Sequence, residues 1–437
     1  MNSTISKDRT KNYFKQLKVS FLFKVLAIGA SFLIIPIMIK FLGNEQYGIW
    51  STLLSIISWI VLFDIGIGNS LRNKISEALV KNDKKKARDY ISTAYVLIGL
   101  ISVILLISFL IASGFIPWQR FFNTSILSND ELESVVNITA SFLFINFWLS
   151  LINQVFNGMQ KTSFVVFNQF LSNTLALIFT YVLYLYFETS LWKLAFVYGS
   201  SLLLSSLLLS LWFYRKNQEF IPQVKCYTHK YTKSITSLGF KFFIIQIAVV
   251  VIFTTDKILI TQLFAPEYVT SYDVVFKLFS VITITHSLFM MPLWSAYSDA
   301  YHREDLTWIK RTIKNQLKIY LLIVLSTIGL IFLAKPVISI WIGKDFVIDN
   351  TLITVMGLFV LVSTWNNIYA YFLNAANKLD IQIKTSIIAI FVNIPLSIVL
   401  VKYLDFGVYG IVIGTILSLL LFAVFGSLQT YRILKGK

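Results

Sequence analysis

The chain has 437 residues, 57% of them hydrophobic and only 14% charged, with a formal net charge of +17. Apolar runs close to the ~20 residues of a bilayer-spanning helix recur from end to end, which excludes an ordinary soluble domain. The single cysteine, Cys226, excludes an internal disulfide and any multi-cysteine metal site.

The first 19 residues are polar and basic. The apolar run after them is too long for the core of a signal peptide, so no cleavable signal is expected and the run reads as the first membrane helix. Twelve helices are predicted in chain order, at roughly 20–41, 47–68, 90–113, 134–156, 163–187, 192–214, 238–263, 269–296, 318–341, 351–374, 382–403 and 408–430. Short separators hold helix breakers, such as Gly43-Asn44 and Ala265-Pro266. The expected organisation is a cytoplasmic segment at 1–19, a six-helix bundle at 20–214, a cytoplasmic linker at 215–237 and a second bundle at 238–437 with a short cytoplasmic tail.

Lysine and arginine alternate by loop. The N terminus, the loops at 69–89, 157–162, 215–237, 297–317 and 375–381, and the C-terminal tail hold about 26, whereas the opposite loops hold Arg120 and Lys344. This asymmetry predicts that both termini are cytoplasmic and accounts for the positive charge without nucleic acid. Two basic cytoplasmic segments, Arg72–Arg88 and Asp299–Lys314, read as short amphipathic helices on the inner surface. Their basic runs, including Lys84-Lys85-Lys86, fix topology and touch anionic lipid; binding a cytoplasmic partner is the alternative.

A repeat is visible at a spacing of 217, pairing Lys24 with Lys241, Trp148 with Trp365, Asn157 with Asn374 and Lys161 with Lys378. Each half opens with two helices joined by a short hinge, LGNEQYG (42–48) and LFAPEYVTSY (263–272). Two parallel halves predict a pseudo-two-fold along the membrane normal and a binding site between the halves.

No phosphate-binding GxxxxGK[ST] loop occurs, and GIG at 66–68 is too short for a dinucleotide fingerprint. No metal-ligand cluster and no catalytic constellation is present, so neither an enzyme nor a cofactor is expected. His229 and His302 fall in cytoplasmic loops; His286, within the eighth helix, reads as a packed polar residue rather than a proton carrier.

The charges within the predicted helices are the informative set, because an ionisable group at bilayer depth costs about 2.5–3.5 kcal/mol and faces a partner or a wet cavity. Lys24 and Lys241 lie near cytoplasmic helix ends, within snorkelling reach, and Asp64 on the second helix is at a level to pair with Lys24. Lys40 and Lys335 lie near outer ends and should snorkel. Asp256, Lys257, Asp273 and Lys277 sit deeper, on the first two helices of the second half. Asp273 and Lys277 share a face at i, i+4 and can pair, whereas Asp256 and Lys257 point about 100° apart. Two readings stay open: a salt-bridge network clamping the two helices, or the wall of a polar cavity with Lys277 available to an anion. Asn153, Asn157, Gln160, Asn168, Gln169, Asn173, Asn366, Asn367 and Asn374 add polar groups that suit either inter-helix bonds or a lined passage.

The stretches IIPIMIKFLGNEQYGIW (34–50), FDIGIGNSLRNKI (63–75) and TTDKILITQLF…SYDVVFKLF…MPLWSAYSDA (254–300) resemble bacterial O-antigen and polysaccharide flippases of the multidrug/oligosaccharidyl-lipid/polysaccharide exporter superfamily. The resemblance spans essentially the whole chain, through loose hydrophobic motifs. It implies an all-α polytopic fold like that of multidrug and toxin extruders (MATE), with two six-helix bundles around a central cavity. It implies translocation of an undecaprenyl-pyrophosphate-linked oligosaccharide from the cytoplasmic to the periplasmic leaflet by alternating access. The expected partners are that lipid-linked oligosaccharide, membrane lipid, and a polysaccharide polymerase and chain-length regulator, with the chain acting as a monomer. The cationic-cavity role carries over onto Lys24, Lys241 and Lys277, leaving Asp64, Asp256, Lys257 and Asp273 for ion pairing or ion coupling. The two extra C-terminal helices of lipid II flippases are not seen, which speaks against a peptidoglycan role. The rival reading is a small-molecule antiporter driven by an ion gradient, with Asp64 or Asp256 as its working carboxylate. A polymerase or glycosyltransferase would need a sizeable extramembrane loop, and none is predicted.

Overall fold

The computed structural model describes residues 2–59, 67–229, 231–232, 240–302, 304–376 and 378–435. Among them every regular element is helical. The longer helices are α1 (Asn2–Ile57), α2 (Ile67–Val80), α3 (Lys84–Ser113), α5 (Asn129–Leu149), α7 (Thr162–Tyr186) and α8 (Leu191–Lys216), with short helices α4 (Trp118–Phe122) and α6 (Leu151–Gly158) between them. The chain continues through α9 (Phe240–Leu263), α10 (Pro266–His302), α11 (Leu306–Trp341), α12 (Asn350–Ala375), α13 (Asp380–Lys402) and α14 (Val408–Leu434).

Ten helical spans among the described residues are long and apolar enough to cross a bilayer. The first, Lys18–Ile57, is 40 residues long and contains the first predicted span and the start of the second. Its hydrogen-bonded ladder is interrupted at Gly43, with φ 75° and ψ 173°. Only glycine enters that region without steric cost, so the predicted hinge is carried by one residue. The polytopic all-α architecture is therefore the one expected from the hydrophobic runs. The apolar faces of α3 (Val103, Ile104, Ile107, Ile111) and α11 (Leu321, Leu322, Leu325, Phe332) are exposed. Such faces belong against hydrocarbon.

By contacts the chain divides into two compact units. One comprises residues 1–46 and 57–243, the other residues 47–56 and 244–437. The two units pack internally in the same order. In the first, α3 lies on α5, α5 on α8, and α8 on α7; in the second, α11 lies on α12, α12 on α14, and α14 on α13.

The repeat extends to details. The turn after α6 closes with Lys161 N–H donating to the Phe156 carbonyl at 2.8 Å; the turn after α12 closes with Lys378 N–H donating to the Leu373 carbonyl at 2.8 Å. Both are the six-to-one closure that satisfies an orphan carbonyl at a helix end. Trp148 meets Tyr95 edge to face at 6.1 Å, and Trp365 meets Tyr320 likewise at 5.4 Å.

One expectation fails in both units. Arg72–Arg88 and Asp299–Lys314 are not single helices lying on the inner surface. Each is divided by a residue in the left-handed region, Asn82 (φ 55°) and Glu304 (φ 59°). An aspartate then caps the next helix: Asp83 accepts from Lys86 N–H, and Asp305 accepts from Trp308 N–H, both at 2.9 Å. The apolar residues of these segments are core. Ile75 is fully buried with Leu71, Ile91, Ile152 and Phe156 in the first unit, and Ile309 with Tyr297 and Phe372 in the second. Amphipathic periodicity cannot distinguish a membrane surface from a neighbouring helix as the apolar partner.

Candidate functional site

Two polar regions lie among the apolar helices of the described residues, one in each unit. That of the second unit is built on the helix pair α9 and α10. Pro266 opens α10 at a position where its missing N–H costs nothing. The segment Tyr47–Ile56 of α1 packs in the same unit. Contact there is very close: a Cβ on Gly48 would fall 1.8 Å from the Pro266 carbonyl oxygen. That close approach brings the side chains following Gly48 onto the helix pair.

Lys257 forms an ion pair with Asp273 across the hinge, with both side chains largely buried, 17% and 13% exposed. Lys257 Nζ also donates to Ser51 Oγ at 2.8 Å. The other carboxylate oxygen of Asp273 accepts from Tyr47 OH at 2.6 Å. One turn of helix away, Thr52 and Thr261 share a hydrogen bond at 2.8 Å. The pair is thus desolvated but well partnered, as a buried ion pair must be to persist. Lys277 lies one turn along α10 from Asp273 and is half-buried.

Asp256 occupies a different environment. It is 2% exposed. Its two oxygens accept from Tyr272 OH at 3.1 Å and Thr415 Oγ1 at 2.9 Å. Asn393 Nδ2 donates to Thr415 Oγ1 at 3.0 Å, extending the network to α13. The described salt bridges include no cation on Asp256. Among the described residues the hydrogen-bond partners of its oxygens are hydroxyls.

In the first unit Lys24 of α1 is half-buried, and its Nζ donates to Gln169 Oε1 of α7 at 2.9 Å. Among the described residues no carboxylate forms an ion pair with it. Asp64, the expected partner of Lys24, lies outside the described residues, and so does the side chain of Lys241. Lys40 and Lys335 are exposed, as snorkelling requires. His286 is 2% exposed.

The polar uncharged residues divide. Asn153, Asn168, Gln169 and Asn173 gather in the first unit. Asn157 donates to Gln154, and Asn366 donates to the Leu419 carbonyl across α12 and α14. Sequence reasoning missed Tyr47, Ser51, Tyr272, Asn393 and Thr415. Tyr47, Ser51 and Ser55 repeat at every fourth residue on one helical face, a signal that was present. Asn393 and Thr415 carried no comparable signal, since nothing in their local spacing sets them apart from the other polar residues of their helices.

The sequence profile of a family described as polysaccharide biosynthesis protein matches residues 14–296. A candidate O-antigen export protein of Yersinia pseudotuberculosis is 23% identical over 423 residues, 91% of each chain. A candidate O-antigen transporter of Salmonella typhimurium is 24% identical over 432 residues, 96% of each chain. Among solved structures, an inward-facing multidrug resistance MATE family transporter of the MOP superfamily matches at a TM-score of 0.81 and 13% identity, over 96% of this chain and 98% of that one. A MOP superfamily transporter from Pyrococcus furiosus matches at 0.66 and 15%, over 96% of each. At such identities the likeness shows the fold alone, which is that of MATE transporters.

Proposed function

Because the chain belongs to the polysaccharide biosynthesis protein family, we propose that it is a flippase for a lipid-linked oligosaccharide, the repeat unit of an O-antigen or similar surface polysaccharide. The unit rides on undecaprenyl pyrophosphate and moves from the cytoplasmic to the periplasmic leaflet of the inner membrane by alternating access, with both termini in the cytoplasm. The names of the Yersinia and Salmonella relatives support this reading. The observation that carries it in this chain is Lys24: a half-buried cation that meets an amide, with no carboxylate pairing it among the described residues. A cation so held retains charge to offer an incoming phosphate. Lys241 and Lys277 are assigned the same role.

The test is complementation in cells lacking the gene. Lys24→Ala should cut surface polysaccharide at least tenfold, and Lys24→Arg should retain most of it. Normal amounts and chain lengths in both Lys24→Ala and Lys277→Ala would sink the cationic-site assignment.

Asp256 favours a second reading, coupling to an ion gradient. A buried carboxylate without a described cationic partner supports it, whether the cargo is a lipid-linked glycan or a small molecule. Asp256→Asn keeps the shape and removes the charge. If it abolished gradient-driven dye efflux from vesicles while surface polysaccharide stayed normal, the chain would be a small-molecule antiporter instead.

A further inference from the structure

Within the first unit, α5, α6, α7 and α8 enclose a cavity of about 440 Å³. That volume lies in the ~300–1,000 Å³ range of small-molecule sites. Its polar wall is amide and hydroxyl, contributed by Asn146, Asn153, Asn168, Asn173, Ser205 and Ser206, and among the described residues no charged side chain lines it. Four of these groups are linked. Asn168 Nδ2 donates to Asn153 Oδ1 at 3.1 Å and to Ser206 Oγ at 3.4 Å, and Ser206 Oγ donates to Asn146 Oδ1 at 3.0 Å. The network does not close on itself. Asn168 is 6% exposed, yet its Oδ1 is buried without a hydrogen-bond partner among the described residues. A buried acceptor left without a donor carries a desolvation cost that a ligand hydroxyl would relieve. The cavity also adjoins a cation, because Gln169, which lines it, accepts from Lys24. Tyr198 adds an aromatic wall.

We propose that this cavity binds the sugar that adjoins the phosphate of the transported lipid, with Lys24 holding that phosphate. The inference rests on the flippase reading and adds where the glycan sits. Each element of the site has a matching feature in a glycosyl phosphate. A sugar hydroxyl donates to Asn168 Oδ1. Other hydroxyls accept from the amide N–H groups of the wall, and the C–H face of the ring packs on Tyr198. The phosphate meets Lys24 at the rim, one amide away from the sugar. Hydrocarbon cannot replace such a ligand, since it would leave Asn168 Oδ1 without a donor. A cationic drug finds no carboxylate in the wall among the described residues.

The test uses the full chain, purified and reconstituted, with three probes. They are a short-chain polyprenyl diphosphate carrying one hexose, the same lipid diphosphate without sugar, and free hexose 1-phosphate. Asn168→Leu should weaken binding of the glycosylated lipid about tenfold and leave the bare lipid diphosphate unchanged. A second measurement avoids perturbing the network. In a Cys226→Ser background, Ser150→Cys places one thiol on the cavity wall, and a small thiol reagent reports access to it. The glycosylated lipid should slow labelling about tenfold; the bare lipid and the free sugar phosphate should have little effect at equal concentration. Equal weakening of both lipids by Asn168→Leu, or equal protection by both, would overturn the sugar assignment while leaving the flippase reading intact. Protection by free hexose 1-phosphate matching that of the lipid-linked probe would reassign the cavity to soluble sugar phosphates. Failure of the unsubstituted protein to bind either lipid would fell the flippase reading itself, and this inference with it.

Discussion

Lys257 and Asp273 show how a charge becomes tolerable inside a membrane. Each has a second polar neighbour, Ser51 Oγ for the ammonium and Tyr47 OH for the carboxylate. Removing one partner strands the other at depth. Lys257→Ala should therefore destabilise the protein by on the order of 3 kcal/mol, because an uncompensated buried charge is the expensive product. Replacing the pair together, Lys257→Met with Asp273→Leu, should recover most of that loss. Thermal unfolding in detergent of the two single variants and the double variant tests this as a cycle; additive losses would show that the two groups do not depend on each other. The four charges of the helix pair were legible in the sequence as anomalies. Their partners were not. Tyr47 is 226 residues from Asp273, and Thr415 is 159 residues from Asp256. Local spacing suggested Asp273 with Lys277; the fold adds Lys257 across the hinge, since α9 and α10 run side by side there.

At the scale of elements, glycines do two different jobs. Gly43 supplies a backbone angle, and Gly48 supplies proximity. Any side chain at Gly48 meets the Pro266 backbone, and backbone cannot swing aside as a flexible side chain can. Gly48→Val should separate Tyr47–Ile56 from the helix pair and lower thermal stability by a margin like that of overpacking a core, about 1–3 kcal/mol. Gly29 is the control, also within α1 but with no neighbouring group within 4 Å of where a Cβ would stand. Gly29→Ala should be neutral or stabilising by about 0.5–1 kcal/mol. Melting temperatures that fall equally in the two variants would rule out the close approach as the cause. Several helix starts follow local rules. Ser128 and Glu131 form a reciprocal capping box at the start of α5, and Asp83 and Asp305 cap equivalent helices in the two units. These signals were in the sequence; the amphipathic reading of the same segments passed over them.

At the scale of the molecule, the repeat is both a sequence pattern and a packing order. The two units use the same succession of helix contacts and the same turn closure after Lys161 and Lys378. Topology is a further property of the whole chain. The distribution of lysine and arginine predicts that a reporter active only in the cytoplasm, fused within 215–237 or after the last residue, is active, and that one inserted near Arg120 is silent. Activity in the Arg120 fusion would invert the membrane orientation on which the direction of transport depends.

The sequence by itself determined the class of solvent, the succession of apolar helices, the two-fold repetition and the position of the embedded charges. Hydrophobicity, charge bias and breaker residues act locally, so each can be read from a window of a few tens of residues. Only the tertiary structure decided which polar groups share a site. It paired Lys257 with Asp273, gave Asp256 two hydroxyls from different helices, and gathered the asparagines of α5, α6 and α7 around one cavity. In hydrocarbon a polar group must find its partner inside the protein, and that partner lies wherever helix packing brings a second polar side chain within about 3 Å, at any distance along the chain.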